Sequence, residues 1–238
     1  MIKKNKNINF FSIEKNIPEN YYPKPAYTCL PDWYKDQESY ILGNKKVNEG
    51  VVNQSSIKRC IPVFDSLTSG YFIFSSVDIY VSQKDNAPYF NWALNILEED
   101  AISFHPGQQF SKHPEFKDLP SLPKFFNPWV IETPKGYSVF ITPPKHRNLP
   151  FEIIPGIVDT DSYNATIHFP FYLKDLKWEG LIPAGTPIAQ VVPFKRDQWK
   201  MSLVSKKRIE KTDKISFLLR SNYFNGYKKF FWTKKFFK

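Results

Sequence analysis

The sequence predicts a mainly β fold, a distorted barrel or sandwich, with a jelly roll as the alternative architecture. Three observations point there. Hydrophobic residues make up 42% of the chain and aromatic residues 17%, enough apolar surface for a sizeable core. Twenty prolines stand against nine glycines. Each proline removes a backbone donor and crowds the preceding turn, which works against long helices and suits short strands joined by stiff loops. Between positions 128 and 193, short apolar runs recur roughly every 8–12 residues, the spacing of a compact sandwich or barrel.

The elements follow in order. Residues 1–25 are rich in Asn, Lys and Pro and end in Tyr21-Tyr22-Pro23-Lys24-Pro25, an extended arm. Pro31-Asp32-Trp33-Tyr34-Lys35 reads as a short helix, with Asp32 near an N-terminus that favours a carboxylate. Residues 43–57 are polar and read as a loop. Ile57 to Val81 reads as β, with Cys60-Ile61-Pro62-Val63, a turn from Asp65 to Gly70, Tyr71–Phe74, and the alternating Val77–Val81. Tyr89–Leu97 fits a strand pair or a short helix. Phe116–Phe126, interrupted by Pro120 and Pro123, reads as irregular. Pro128–Glu132 and Gly136–Ile141 read as strands joined by a hairpin turn at Thr133-Pro134-Lys135-Gly136. Further strands are expected at Phe151–Ile154, Ala165–Phe171, Leu181–Ile182 and Pro187–Pro193. No repeat or linker interrupts this pattern. The expected organisation is an N-terminal arm and loop-rich segment over 1–56, a β domain over 57–205 and a basic aromatic arm over 206–238.

Composition excludes several classes. Two cysteines, Cys29 and Cys60, are too few for a disulfide scaffold and too far apart for close zinc-ligand pairs. Met1–Phe10 has no apolar run resembling a signal peptide, and no window approaches the roughly 18 apolar residues of a membrane span. The expected compartment is the cytoplasm. There is no G-x-S-x-G elbow, P-loop or G-x-G-x-x-G. The net charge of +10, with pI near 9.4, favours polyanionic partners. That charge is concentrated: Lys206 to Lys238 carries eleven Lys or Arg residues against Glu210 and Asp213.

Two stretches stand out, one with a glycine, a short apolar run, acids and a tyrosine, the other with a glycine ahead of Ile-Ala-Gln. The first is Pro155-Gly156-Ile157-Val158-Asp159-Thr160-Asp161-Ser162-Tyr163, and the second is Ile182-Pro183-Ala184-Gly185-Thr186-Pro187-Ile188-Ala189-Gln190-Val191-Val192. Together they resemble the core of the dUTPase and dCTP deaminase superfamily over residues 100–195. In that superfamily a glycine and an apolar run precede an acid and a tyrosine, and a later G-x-x-I-A-Q strand closes the barrel. The chain also resembles bacterial and phage proteins of similar length, a likeness that implies no activity. The dUTPase resemblance implies a nucleotide or phosphorylated small molecule as ligand. Asp159 or Asp161 would orient water beside a magnesium-bound triphosphate, Tyr163 would pack under the sugar, and Gln190 would join the ligand-binding set. The segment Thr142–Pro150 stands where that superfamily carries Arg-Ser-Ser or Arg-Ser-Gly. It offers Lys145 and Arg147 as phosphate partners, while Pro143 and Pro144 remove backbone donors. The same acidic stretch reads equally as a polar turn, in which Asp and Asn bond their own backbone.

Two further constellations bear on function. His105, His113 and His168 are the candidate ligands of an iron site under the alternative of a jelly-roll oxygenase, although the usual His-x-Asp pair is absent. The tail interleaves Lys228, Lys229, Lys234 and Lys235 with Trp232 and several phenylalanines. Such a pattern serves single-stranded nucleic acid, where bases stack on rings and lysines track phosphates. It also suits an anionic membrane surface, or an arm packed on its own domain or on another subunit of a homo-oligomer.

Overall fold

A computed structural model describes residues 6–41, 55–93, 97–203, 209–221 and 226–238. The chain forms two compact units, each built from two separate stretches. The first comprises Met1–Ala26 and Gly70–Arg196, and the second Tyr27–Ser69 and Asp197–Lys238.

The first unit is mainly β, as expected, and its described strands all pair antiparallel. A five-stranded sheet runs in the order β11 (Gly156–Val158), β9 (Tyr137–Thr142), β14 (Pro187–Lys195), β3 (Tyr71–Phe74) and β2 (Lys24–Pro25). A four-stranded sheet runs β10 (Phe151–Ile153), β12 (Phe169–Leu173), β7 (Ser121–Phe125) and β6 (Ile102–Pro106). A three-stranded sheet joins β13 (Gly180–Ile182), β4 (Ile79–Lys84) and β5 (Ala87–Trp92), and β1 (Asn9–Ser12) pairs with β8 (Trp129–Glu132). Alternation places one face of each sheet in a shared core, where Phe125 stacks on Phe171 at 3.9 Å and meets Phe151 edge-on at 4.8 Å. The G-x-x-I-A-Q text runs from the turn at Gly185 into β14, with Ile188, Ala189, Gln190 and Val191 buried between β9 and β3. Gly70 precedes β3 at φ +74°, and a Cβ there would sit 2.0 Å from the Val191 carbonyl oxygen, so only glycine fits.

Three expectations give way here. Thr133–Gly136 is a turn but not a hairpin, because β8 pairs with β1 while β9 pairs with β11 and β14. Phe116–Phe126 is not irregular throughout, since β7 occupies its second half. Pro123 is tolerated there because β12 pairs only with Phe125 and Lys124, leaving no ladder partner beside the proline on that side. The N-terminal arm is likewise partly strand, through β1 and β2.

The second unit is helical where β was expected. Ser56 accepts a hydrogen bond from the Lys58 amide and opens a 3₁₀ turn at Ile57–Arg59. The helix Ile61–Thr68 follows, with Pro62 in its first turn, where the missing N–H has no helical partner to lose. Ile61, Phe64 and Leu67 recur at helical rather than strand spacing, and Leu67 is fully buried. We name this helix α2, after α1 (Asp32–Asp36), the short helix expected from Pro31-Asp32. In the C-terminal stretch are α3 (Ile209–Ser221) and α4 (Gly226–Phe230). The expected loop at 43–57 lies mostly outside the described residues. No described helix is long and apolar enough to cross a membrane.

Candidate functional site

The acidic turn of the first unit is a clasp around Arg196. Asp161 accepts from the Gly136 amide at 2.8 Å and from Arg196 Nη1 at 2.9 Å, and its second oxygen meets Arg196 Nη2. Asp159 accepts from the Ser138 hydroxyl at 2.6 Å and lies 3.0 Å from Arg196 Nη1. Arg196 therefore holds Asp161, together with the Gly136 amide, below the usual carboxylate range. The Ser138 hydroxyl, then Arg196, does the same for Asp159. The Asp161 side chain is only 5% exposed, so its charge is answered inside the protein. Thr160 between them is buried and shares a hydrogen bond with Thr133 at 2.8 Å. Tyr163 is 47% exposed and its amide donates to the Asp159 carbonyl, closing the turn. Carboxylates committed to a guanidinium are weak bases toward water. No third acid, histidine or cysteine joins them among the described residues, so they make no magnesium cage.

Lys145, Arg147 and Gln190 lie at the other end of β9. Gln190 stands opposite Thr142, is 1% exposed, and accepts from the Lys145 amide at 3.2 Å, fastening the turn after β9. The Arg147 guanidinium stacks over the Phe72 ring at 4.9 Å. Ser138, which binds Asp159, and Thr142, opposite Gln190, are four residues apart, about 13 Å along a strand. The expected acids and the expected phosphate partners are therefore not brought together within one chain. Arg196, which organises the acids, was not legible beforehand, because it lies 35 residues beyond Asp161. Its place directly after the β14 text was the available signal.

The histidines do not assemble an iron site. His113 stacks on Phe116 at 4.2 Å, and its Nδ1 accepts from the Glu115 amide. His168 stacks on Phe126 at 5.3 Å and accepts from the Asn127 amide. His105 lies against Phe110. Among the described residues no three His, Cys, Asp or Glu side chains form a group that could hold a metal ion. Two histidines and a carboxylate must converge on iron, and no carboxylate completes such a set with these histidines among the described residues.

The tail of the second unit folds onto α2. The Trp232 indole N–H donates to Asp65 at 3.0–3.1 Å, Lys235 pairs with the same carboxylate at 2.6 Å, and Phe64 meets the indole edge-on at 6.4 Å. Phe64 in turn packs on Tyr34 of α1. Beside this cluster lies a cleft of about 560 Å³, in which Lys58, Arg59, Lys228 and Lys234 surround Tyr34, Phe64 and Trp232. No carboxylate is among its described lining residues. Lys228 sits 5.8 Å over the Trp232 ring. A second cleft of about 350 Å³ shares Phe64, Trp232 and Lys234 and continues to Lys235 and Lys238. Four cations beside the partly exposed rings of Phe64 and Trp232 can neutralise phosphates and stack bases, while Tyr34 is buried beneath them. Lys229 lies over Phe230 instead and takes no part in either cleft.

No protein-family model matches the chain, and no curated protein sequence matches it. Among solved structures it has a distant resemblance to phage dUTPases. A mutant dUTPase from phage phi11 of S. aureus, described with a structural Mg(II) ion, aligns at TM-score 0.35 and 10% identity, covering 85% of this chain and 99% of that one. A mutant Staphylococcus bacteriophage 80alpha dUTPase with dUpNHpp aligns at 0.34 and 11%, covering 85% and 93%. Another phi11 dUTPase structure aligns at 0.34 and 11%, covering 84% and 97%.

Proposed function

We propose that this chain is a binding protein whose second unit takes single-stranded nucleic acid. The observation that carries the reading is the cleft around Trp232, lined by four cations and three aromatic side chains with no carboxylate among its described lining residues. Phosphates meet Lys58, Arg59, Lys228 and Lys234, while unpaired bases stack on the rings. A duplex keeps its bases paired and offers no free π-face. Catalysis has no part in this reading.

The test is fluorescence anisotropy with a labelled DNA oligonucleotide across a salt series. Log affinity falls linearly with log salt, at about 0.7 for each phosphate neutralised on a single strand. Lys228→Gln with Lys234→Gln lowers that slope by roughly 1.4 and leaves the circular dichroism spectrum unchanged. A slope untouched by this pair, or equal affinity for duplex and single strand, overturns the reading.

A second reading, nucleotide binding in the first unit, is supported by the two sequence motifs flanking β9, with Gly156–Val158 on β11 and Ile188–Gln190 on β14. A thermal-shift panel of deoxynucleotides with magnesium tests it. A ligand at a hundredfold excess over its Kd stabilises by about 2.7 kcal/mol. A base-specific shift that Tyr163→Ala abolishes supports this reading, and no shift with any nucleotide removes it.

A further inference from the structure

The four-stranded sheet has a second face, turned away from the core, and it gathers nitrogen donors. Core residues Ile102, Phe125 and Phe169 occupy one side. Alternation puts Ser103, His105, Lys124 and Pro170 on the other. Lys124 stands directly opposite Ser103 on β6 and opposite Pro170 on β12. His105 lies two residues beyond Ser103, a diagonal neighbour of Lys124 at roughly 7–8 Å between backbones, and His168 lies just before β12, its Nδ1 held by the Asn127 amide and its ring within electrostatic reach of Lys124. All three side chains are half-buried. No salt bridge to Lys124 is found among the described residues.

We propose that Ser103, His105, Lys124 and His168 form a binding site for a tetrahedral oxyanion, inorganic phosphate or a phosphate monoester. Lys124 supplies the fixed charge, the two imidazoles supply N–H donors from either side, and the Ser103 hydroxyl lies opposite. One nitrogen of each imidazole is already assigned: His168 Nδ1 accepts from the Asn127 amide, and His105 bonds the Gln109 side chain. Each ring thereby keeps its other nitrogen for a ligand. The electrostatics agree with this placement. Burial, then Lys124, pushes His105 down, and burial, Lys124 and His105 push His168 down against the opposing pull of Glu99. The other charged groups near this face belong to its far half, where Glu152 and Glu115 act on Tyr172 and His113 stacks on Phe116. An anion bound at Lys124 offsets the repulsion that adds to burial in lowering both histidines.

The experiment is a side-chain NMR titration of His105 and His168, with and without inorganic phosphate, at ionic strength matched by chloride. Phosphate raises both titration midpoints together by about one pH unit, corresponding to about tenfold tighter binding per proton taken up. In Lys124→Met both midpoints move toward the ordinary histidine value without phosphate, and adding phosphate moves them no further. The Lys228→Gln, Lys234→Gln pair leaves the phosphate response intact, which separates this site from the Trp232 cleft. Titration with phosphoserine distinguishes a monoester site, which matches the free-ion response, from one that admits inorganic phosphate alone. Midpoints unmoved by phosphate, or equally moved by chloride, overturn the proposal. So do midpoints insensitive to Lys124→Met.

Discussion

Arg196 decides what the acidic turn is. Its guanidinium takes both Asp161 oxygens and one of Asp159, so a turn that resembles a catalytic motif in sequence is held as an ion-pair clasp. A carboxylate whose folded pKa is lowered stabilises the fold above its ordinary value and loses that contribution as pH falls through the lowered one. Asp161→Asn therefore melts below the parent protein at neutral pH. The gap closes as pH falls below the usual carboxylate range toward the lowered folded value. Thermal melts from pH 7 to pH 3 check this, and a gap independent of pH would show that the clasp is not electrostatic. Gly70 is the other decisive residue. Gly70→Ala places a methyl group against the Val191 carbonyl in a left-handed conformation and costs about 2 kcal/mol or more, measured by urea denaturation. The acids were legible as a motif, but their partner was not, because a pairing across 35 residues is made only when β14 lies beside β9.

At the scale of elements, pattern and outcome diverge where proline or period misleads. The text from Ile57 to Thr68 is apolar enough to pass for a strand, yet Ile61, Phe64 and Leu67 repeat every three residues and Pro62 suits a first helical turn. β7 was hidden by Pro123, which is permitted because pairing with β12 stops at Lys124. The core strands themselves were plain, since Tyr71–Phe74, Gly136–Ile141 and Pro187–Pro193 carry aromatic and β-branched runs of strand length. Phe125 joins β7 to this core through Phe171 and Phe151. Phe125→Ala costs roughly 3–5 kcal/mol in denaturant, whereas Phe125→Leu, which fills most of the space, costs less. Equal losses for the two would mean that the ring contacts, rather than the filled volume, carry the contribution.

At the scale of the molecule, the basic tail is part of a folded unit. Trp232 and Lys235 are tied to Asp65 on α2, so deleting residues 222–238 removes structure along with charge. Trp232→Phe keeps a ring but loses the indole donor to a carboxylate, at a cost of roughly 1–3 kcal/mol. Hydrogen exchange at the α2 amides reports it, and unchanged protection would detach the tail from this helix. Charge substitutions at Lys228 and Lys234, which point to the cleft and not to Asp65, are consequently the cleaner probes of nucleic-acid binding.

Composition and period alone determined the mainly β class, the order of the principal strands, the concentration of positive charge in the last thirty-odd residues and the place of the two motifs. These are local properties, set by side-chain polarity and by what proline and glycine permit within a few residues. Only the tertiary structure decided which strands pair, that Asp159 and Asp161 close on Arg196, that Gln190 and Lys145 lie at the opposite end of β9, and that α2 receives the aromatic tail. Each of these joins residues far apart in the chain. Their free energy comes from burial and charge pairing that exist only after the backbone has closed, so no local pattern announces them.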